Sequence, residues 1–484
     1  MIVGLWMTRF LYDGIGGSAM GWWTQAMALV GYLAIIDMGL SSLLPRAVAS
    51  CTGESGGWQN ASGLPKVIAQ WAKFSLLQLP VAILLALLNL FYLVRSNEGV
   101  MLTSAVLMTA ATLIYPLRIG ASTLTGVQDF KFLGLLQLVS YFMGIGVTIF
   151  SVTGELGILS PALGWLTQSV LYHGVVWIRL CTRYRSILPT IGSVMAAHVP
   201  FSLVLSSVWA WLALVGSGFA GTAEIIAVGW NETQSVVFQY ACSTKLVAVF
   251  FPLVISFSTA VIPGLAELRA TKNKNQLAEA SLAYTQVVLL ISGVAGCIVL
   301  SLNAVFVGWW VGEKQYLGSV VTIISVIAMN LRHLMNSLAV NMFCLGREKR
   351  MWQLAFIEGC LAVVATFFAV GYIGTWAAPL GPLISLVICL PVAASFVRVE
   401  FTQSNAHYLK TILRWVIAYV AVGCCSHFFG LAIHSTSFLA LAGASILIVG
   451  IYSVSMIWVV KGTPLAKYTQ QVATRLWGSN NARG

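Results

Sequence analysis

RFLYDGIGGSAMGWWTQAMALVGYLAIIDMGLSSLLPR, residues 9–46, is the stretch whose reading decides the fold. From Ala19 to Leu44 it is apolar and long enough to cross a bilayer, since about 20 apolar residues span a hydrocarbon core of about 30 Å. Asp37 interrupts the run, and Pro45 and Arg46 close it. A central Asp costs about 2.5–3.5 kcal/mol on insertion scales, so it is expected to face protein or a hydrated cavity rather than lipid. Ser41 lies one turn beyond Asp37 and Arg46 one turn beyond Ser42, which gives a helix here a polar edge. Only eight residues precede Arg9, and about eleven residues of helix rise about 16 Å. Either the chain starts upstream of Met1 or its first helix is a partial, truncated one.

Composition extends the reading to the whole chain. Of 484 residues, 59% are hydrophobic and only 8% charged, with a mean hydropathy of +0.89. Ordinary soluble domains carry about 25% charged residues, so a polytopic membrane protein is expected. No basic region precedes the short apolar start and no small-residue cleavage site follows it, which argues against a removable signal peptide. The nine cysteines form no CxxC pair and read as small hydrophobes.

Twelve further apolar segments follow the opening stretch, from Phe74–Val94 and Val100–Leu117 through Val199–Phe219, Ser235–Phe257 and Leu317–Phe343 to Ile412–Leu431 and Phe438–Val460. With the first two helices this gives an all-α protein of about 14 transmembrane helices. With both termini cytoplasmic, 21 of the 26 Lys and Arg fall in inner loops and the tail, while outer loops keep only Arg95 and Lys314. The net charge of +12 therefore marks topology by the positive-inside rule and not nucleic-acid binding. Arg9, Lys245 and Arg332 remain, all inside helices.

A weak internal repeat divides the chain. Leu44-Pro45-Arg46-Ala47-Val48-Ala49 corresponds to Ile262-Pro263-Gly264-Leu265-Ala266, and Leu124-Thr125-Gly126-Val127-Gln128 to Cys344-Leu345-Gly346-Arg347-Glu348. The expected organisation is a six-helix lobe over 1–181, a basic cytoplasmic linker over 182–198 and a second six-helix lobe over 199–397. Two added helices and a tail occupy 398–484, and the two pseudo-symmetric bundles surround a central cavity.

Asp37-Met38-Gly39-Leu40, Pro45-Arg46 and the preceding Gly21-Trp22 resemble the start of Wzx-type oligosaccharide flippases of the MOP superfamily. Pro263-Gly264-Leu265-Ala266-Glu267-Leu268, Trp309-Trp310-Val311-Gly312 and Leu345-Gly346-Arg347 followed by Glu358 extend the resemblance over the core. Members usually carry Tyr-Gly-x-Trp where this chain has Met20-Gly21-Trp22-Trp23, and a complete first helix. The resemblance implies an inner-membrane flippase that moves an undecaprenyl-pyrophosphate-linked oligosaccharide outward by ion-coupled alternating access, without enzymatic chemistry. It needs no cofactor beyond H⁺ or Na⁺. Implied partners are the lipid-linked sugar, membrane lipids, and polysaccharide polymerase and chain-length proteins.

Candidate site residues come from charges and polar groups inside apolar runs. Asn330, His333, Ser337 and Asn341 step by three, four and four residues, with Arg332 and Asn336 beside them, so one helix carries a polar face. That face lines a cavity or, in the plainer reading, bonds to neighbouring helices. Arg9, Lys245, Arg332, His333 and Asn336 are the expected contacts of an anionic headgroup, which suits Arg as a fork and Lys as a point charge. The alternative is a set of ion pairs, Arg9 with Asp13, and Lys245 or Arg332 with Asp37, Glu224 or Glu358. Asp13, Asp37, Glu224 and Glu358 are candidates for ion coupling. Prolines 80, 116, 200, 252, 263, 382 and 391 are expected to bend spans. A drug or small-cation antiporter would want an acidic lumen, and a polymerase or ligase a large outer loop; the outer loops here are short. No Walker A or H-E-x-x-H sequence occurs, and Gly14-Ile15-Gly16-Gly17-Ser18-Ala19 has no strand before it.

Overall fold

The computed structural model describes residues 2–33, 37, 40–55, 57–95, 100–270, 274–345, 347–398, 405–432, 438–461 and 463–468. Among them secondary structure is helical throughout. Lipid offers the backbone no partners, so a spanning segment must satisfy its own N–H and C=O groups. The chain is a multi-pass membrane protein. Ten described helices are long and apolar enough to span, or eleven if one bent pair counts as a single span, against the fourteen expected.

The chain divides into two compact units, Met1–Gly229 with Thr233–Phe238, and Trp230–Glu232 with Gln239–Gly484. The first holds α1 (Ile2–Leu33), α2 (Leu40–Glu54), α3 (Leu64–Arg95), α4 (Met101–Ile114), α5 (Arg118–Gly126), α6 (Phe130–Thr153), α7 (Leu159–Arg183), the short α8 (Ile191–Ala196) and α9 (Phe201–Asn231). Helix α3 is strongly apolar. From Leu77 onward it exposes Leu77, Leu84, Leu88 and Phe91 and buries Ala82 and Ala86, while Trp71, Phe74 and Leu93 are buried nearer its ends; small residues at a contact let helix backbones approach closely in lipid. The same rule joins α6 to α7: a Cβ on Gly164 would lie 1.8 Å from Thr148 Oγ1 and 2.6 Å from the Gly144 carbonyl. One apolar cluster gathers Leu44 and Val48 of α2, Leu64 and Ile68 of α3, Leu124 of α5 and Leu180 of α7.

In the second unit α10 (Gln234–Ser243) leads to α11 (Lys245–Ala270), α12 (Lys274–Val311), α13 (Ser319–Cys344), α14 (Glu348–Ile373), α15 (Leu380–Arg398), α16 (Asn405–Ala432) and α17 (Phe438–Val460). Its cluster joins Leu265 of α11, Tyr284 and Val288 of α12, Cys344 at the end of α13 and Cys389 of α15. A third cluster seats Trp415 of α16 and Tyr452 and Met456 of α17 on Leu289 and Cys297 of α12.

The repeat motifs meet in the same way in both units. Gly126 is pressed against Pro45 and Val48, where a Cβ would come within 2.5 Å of the valine, and Leu265 shares its cluster with Cys344 and Leu345. Pairings recur too, α2 on α5 and α11 on α13, α6 on α7 and α14 on α15. The side chains of Pro263, Gly264 and Gly346 lie outside the described residues.

The helix breaks differ from the proline expectation. Pro80 and Pro391 sit inside unbroken α3 and α15, whereas Pro116 does mark a 3₁₀ turn, Tyr115–Leu117, between α4 and α5. Two sharper breaks have no proline. Gly16 takes φ 83° and ψ 165° within α1, in the positive-φ region that only glycine enters cheaply. Thr244 separates α10 from α11, which are bent by 49°.

Candidate functional site

In the run from Ala19 to Leu44, expected as one helix, residues 34–36 and 38–39 lie outside the described ones; between α1, described to Leu33, and α2, described from Leu40, stands Asp37. Its carboxylate is 2% exposed. Oδ2 accepts the Ser41 backbone N–H at 2.9 Å and the Ser41 hydroxyl, so Asp37 caps the first turn of α2, where carboxylates are favoured. Oδ1 has no hydrogen-bond partner among the described residues. Tyr115 is close enough to interact electrostatically with Asp37 and Arg118, and its hydroxyl donates to Gln78 Oε1. Ser75 and Gln78 are buried one turn apart on α3.

Arg9 and Asp13 are exposed neighbours, with Nε 3.9 Å from Oδ2. Glu224 is half-buried on α9.

Lys245, expected in the middle of one helix, is the first residue of α11, just past the Thr244 break. The break is propped from α12 and the loop before α13. Asn303 Nδ2 donates to the Ser243 carbonyl at 2.7 Å, and the Leu317 N–H donates to Ser243 Oγ at 2.9 Å. A freed helix carbonyl thus keeps a partner, which an interruption in a membrane requires. Lys245 is half-buried, and among the described residues no carboxylate pairs with it.

The polar face of α13 points in two directions. Arg332 turns to α14, where Nη1 pairs with Glu358 Oε1; the side chains are 20% and 5% exposed. Asn330 and His333 turn to α12, where Ser292 Oγ donates to Asn330 Oδ1 at 2.7 Å and lies 2.7 Å from His333 Nδ1. Asn330 Nδ2 also donates to the Tyr419 hydroxyl of α16 at 2.9 Å. Tyr419 stacks on Trp415, whose Nε1 donates to the Tyr452 hydroxyl of α17 at 3.1 Å. This chain of polar groups ties α16 and α17 to α13 within the second unit. Asn336 is half-buried. Among the described residues no three His, Cys, Asp or Glu come together to hold a metal.

Sequence reasoning singled out Arg9, Asp13, Asp37, Glu224, Lys245, Arg332, His333, Asn336 and Glu358, and did not single out Asn303, Ser292 and Tyr419, which hold several of these elements in place. Asn303 was findable, being an amide within the apolar run of α12, where a polar residue is costly unless it has a task.

No family model and no curated protein matches the sequence. The fold is similar to solved transporters. The lipid II flippase MurJ in an inward closed conformation superposes with a TM-score of 0.63 at 15% identity, covering 94% of this chain and 96% of that one. An outward-facing multidrug resistance MATE family transporter of the MOP superfamily gives 0.52 at 14%, covering 82% and 92%. A mutant of the Vibrio cholerae MATE transporter VcmN gives 0.52 at 14%, covering 84% and 93%. The chain therefore has the fold shared by the MurJ flippase and the MATE transporters.

Proposed function

We propose that the chain is a MOP-superfamily flippase that moves a lipid-linked oligosaccharide, carried on an undecaprenyl pyrophosphate, from the cytoplasmic to the outer leaflet of a bacterial inner membrane. The observation that carries this reading is Lys245. An ammonium held half-buried at a propped helix break, with no carboxylate beside it among the described residues, calls for an anion. A pyrophosphate supplies that charge. Arg9 and Arg332, which carry their own carboxylates, are assigned to the headgroup, as are His333 and Asn336 of α13. Asp37, which caps α2 with one oxygen and has no hydrogen-bond partner on the other among the described residues, is the group assigned to H⁺ or Na⁺ coupling, with Asp13, Glu224 and Glu358 as further carboxylates of that set. The polyprenyl tail stays in lipid while the protein spares sugar hydroxyls the passage through hydrocarbon.

The MATE likeness supports a second reading, export of drugs or small cations. A cationic substrate has no use for an ammonium in a span with no carboxylate paired to it among the described residues. The test is replacement of Lys245 with Gln in a strain lacking the gene. Lipid-linked sugar accumulating on the inner leaflet supports the proposal, and normal surface glycan refutes it. Uptake of an organic cation by the wild type would favour the second reading.

A further inference from the structure

The connection from α7 to α9, which contains the short α8, has two unlike faces. Its inner face is packed: Tyr184 and Ile187 are buried in the cluster of Leu64, Ile68, Trp71 and Phe74 of α3, and the Tyr184 hydroxyl donates to Asp129 Oδ2 at 3.1 Å. Two side chains of α3 hold its backbone. Lys73 Nζ donates to the Met195 carbonyl at 2.8 Å, and Gln70 Nε2 donates to the His198 carbonyl at 3.1 Å. The outer face is apolar and uncovered. Ile191 and Met195, four residues apart on one side of α8, are 83% and 64% exposed, and Phe201 at the start of α9 is 78% exposed. Helix α3 serves as a depth gauge for these residues. Its exposed leucines begin at Leu76 and Leu77 and its exposed apolar side chains continue to Phe91, about 22 Å of helix against a hydrocarbon core of about 30 Å. Lys73 stands three residues before Leu76 and Gln70 six, about 4.5 and 9 Å along the axis. The backbone they hold therefore lies where the lipid-facing surface gives way to the headgroups. Residues 182–201 contain Arg183 and Arg185 and no Asp or Glu. Both arginines are exposed, as is Lys66 at the start of α3, and among the described residues no carboxylate pairs with any of the three. Asp129 is occupied by Arg179 at 3.2 Å.

We infer that the segment 183–201 is a membrane-surface anchor selective for anionic lipid. Ile191, Met195 and Phe201 enter the boundary between headgroups and acyl chains of the leaflet at the Lys66 end of α3, while Arg183, Arg185 and Lys66 meet its phosphates. Depth and charge together choose this occupant. Water would leave three large apolar side chains exposed with nothing gained, and the gauge along α3 puts them within the about 5–10 Å over which interfacial helices bury their apolar side. A zwitterionic leaflet accepts the apolar side chains equally well but lacks the negative surface potential that draws basic residues. The anchor acts independently of what the protein transports.

The test is hydrogen–deuterium exchange of the full chain, one copy per nanodisc, in phosphatidylglycerol and in phosphatidylcholine. The peptide to follow is 186–200, in which the Val194 and Ala197 amides are bonded to the Thr190 and Val194 carbonyls and exchange only when the segment opens. Exchange is expected to be about tenfold slower in phosphatidylglycerol, the effect of two or three basic side chains at an anionic surface. Arg183→Gln with Arg185→Gln, exposed substitutions that do not threaten folding, should bring the two lipids to within about twofold of each other. Ile191→Ser with Met195→Ser should speed exchange in both lipids. Equal exchange of the wild type in the two lipids would overturn the inference, as would a lipid difference that survives loss of both arginines or wild-type exchange in the serine variant. Protection that appears only when two copies share a nanodisc would overturn it in favour of a contact between copies.

Discussion

Take the Arg332–Glu358 pair apart one partner at a time. Removing one member of a buried ion pair strands the other charge and costs about 3–5 kcal/mol, whereas replacing both with apolar groups of similar size is near neutral. The exposures make the two single losses unequal. Glu358 is 5% exposed and has no route to water, while Arg332 at 20% has a long stem that can carry its head outward. Arg332→Met should therefore sit near the upper end of that range and Glu358→Met near the lower. At about 2–4 °C per kcal/mol for a unit of this size, Arg332→Met should lower the thermal midpoint by about 10 °C, and the double variant by a few degrees at most. The assay is thermal unfolding of purified protein followed by tryptophan fluorescence, which the 17 tryptophans supply. A double variant as unstable as the two single losses summed would refute the argument, because it would mean the two groups do not hold each other. Transport by the stable double variant separates the roles: activity retained makes the pair a clasp, and activity lost assigns Arg332 to the headgroup.

Asp37→Ala should cost about 1 kcal/mol from loss of the α2 cap. Asp37→Asn keeps an acceptor for the Ser41 N–H at 2.9 Å and should preserve the thermal midpoint while abolishing ion-driven transport. Gly164→Ala places a Cβ 1.8 Å from Thr148 Oγ1 and should destabilise by about 1–3 kcal/mol. Gly146→Ala, with nothing within 4 Å, should gain stability, up to about 1 kcal/mol, in the same assay. Asn303→Leu removes the 2.7 Å bond to the Ser243 carbonyl, which should lower the midpoint and speed proteolysis near Thr244.

Hydropathy made most spans legible because lipid penalises everything else. Among the described residues, polar side chains dilute α7, which holds Gln168, His173 and Arg179, and Gly16 divides α1. The breaks were harder to read. Around Thr244 there is no punctuation, with Pro252 a full two turns later. That interruption depends on a side chain supplied from elsewhere, Asn303 of α12. The polar face of α13 was visible in its three- and four-residue steps. That Asn330 and His333 would find Ser292, and Arg332 would find Glu358, depends on which helices pack against α13, and no local pattern carries that.

The most direct test of the account is binding to the purified protein measured side by side for a polyprenyl-pyrophosphate-linked sugar and a lipophilic organic cation, in wild type and in Lys245→Gln. The account predicts that the pyrophosphate lipid binds the wild type, that Lys245→Gln weakens it by about tenfold or more, as loss of a charge-assisted contact should, and that the cation gains nothing from the lysine. Unchanged pyrophosphate-lipid binding in Lys245→Gln, or cation binding that exceeds it in the wild type, would contradict the claim that the helix break in the second unit receives an anion.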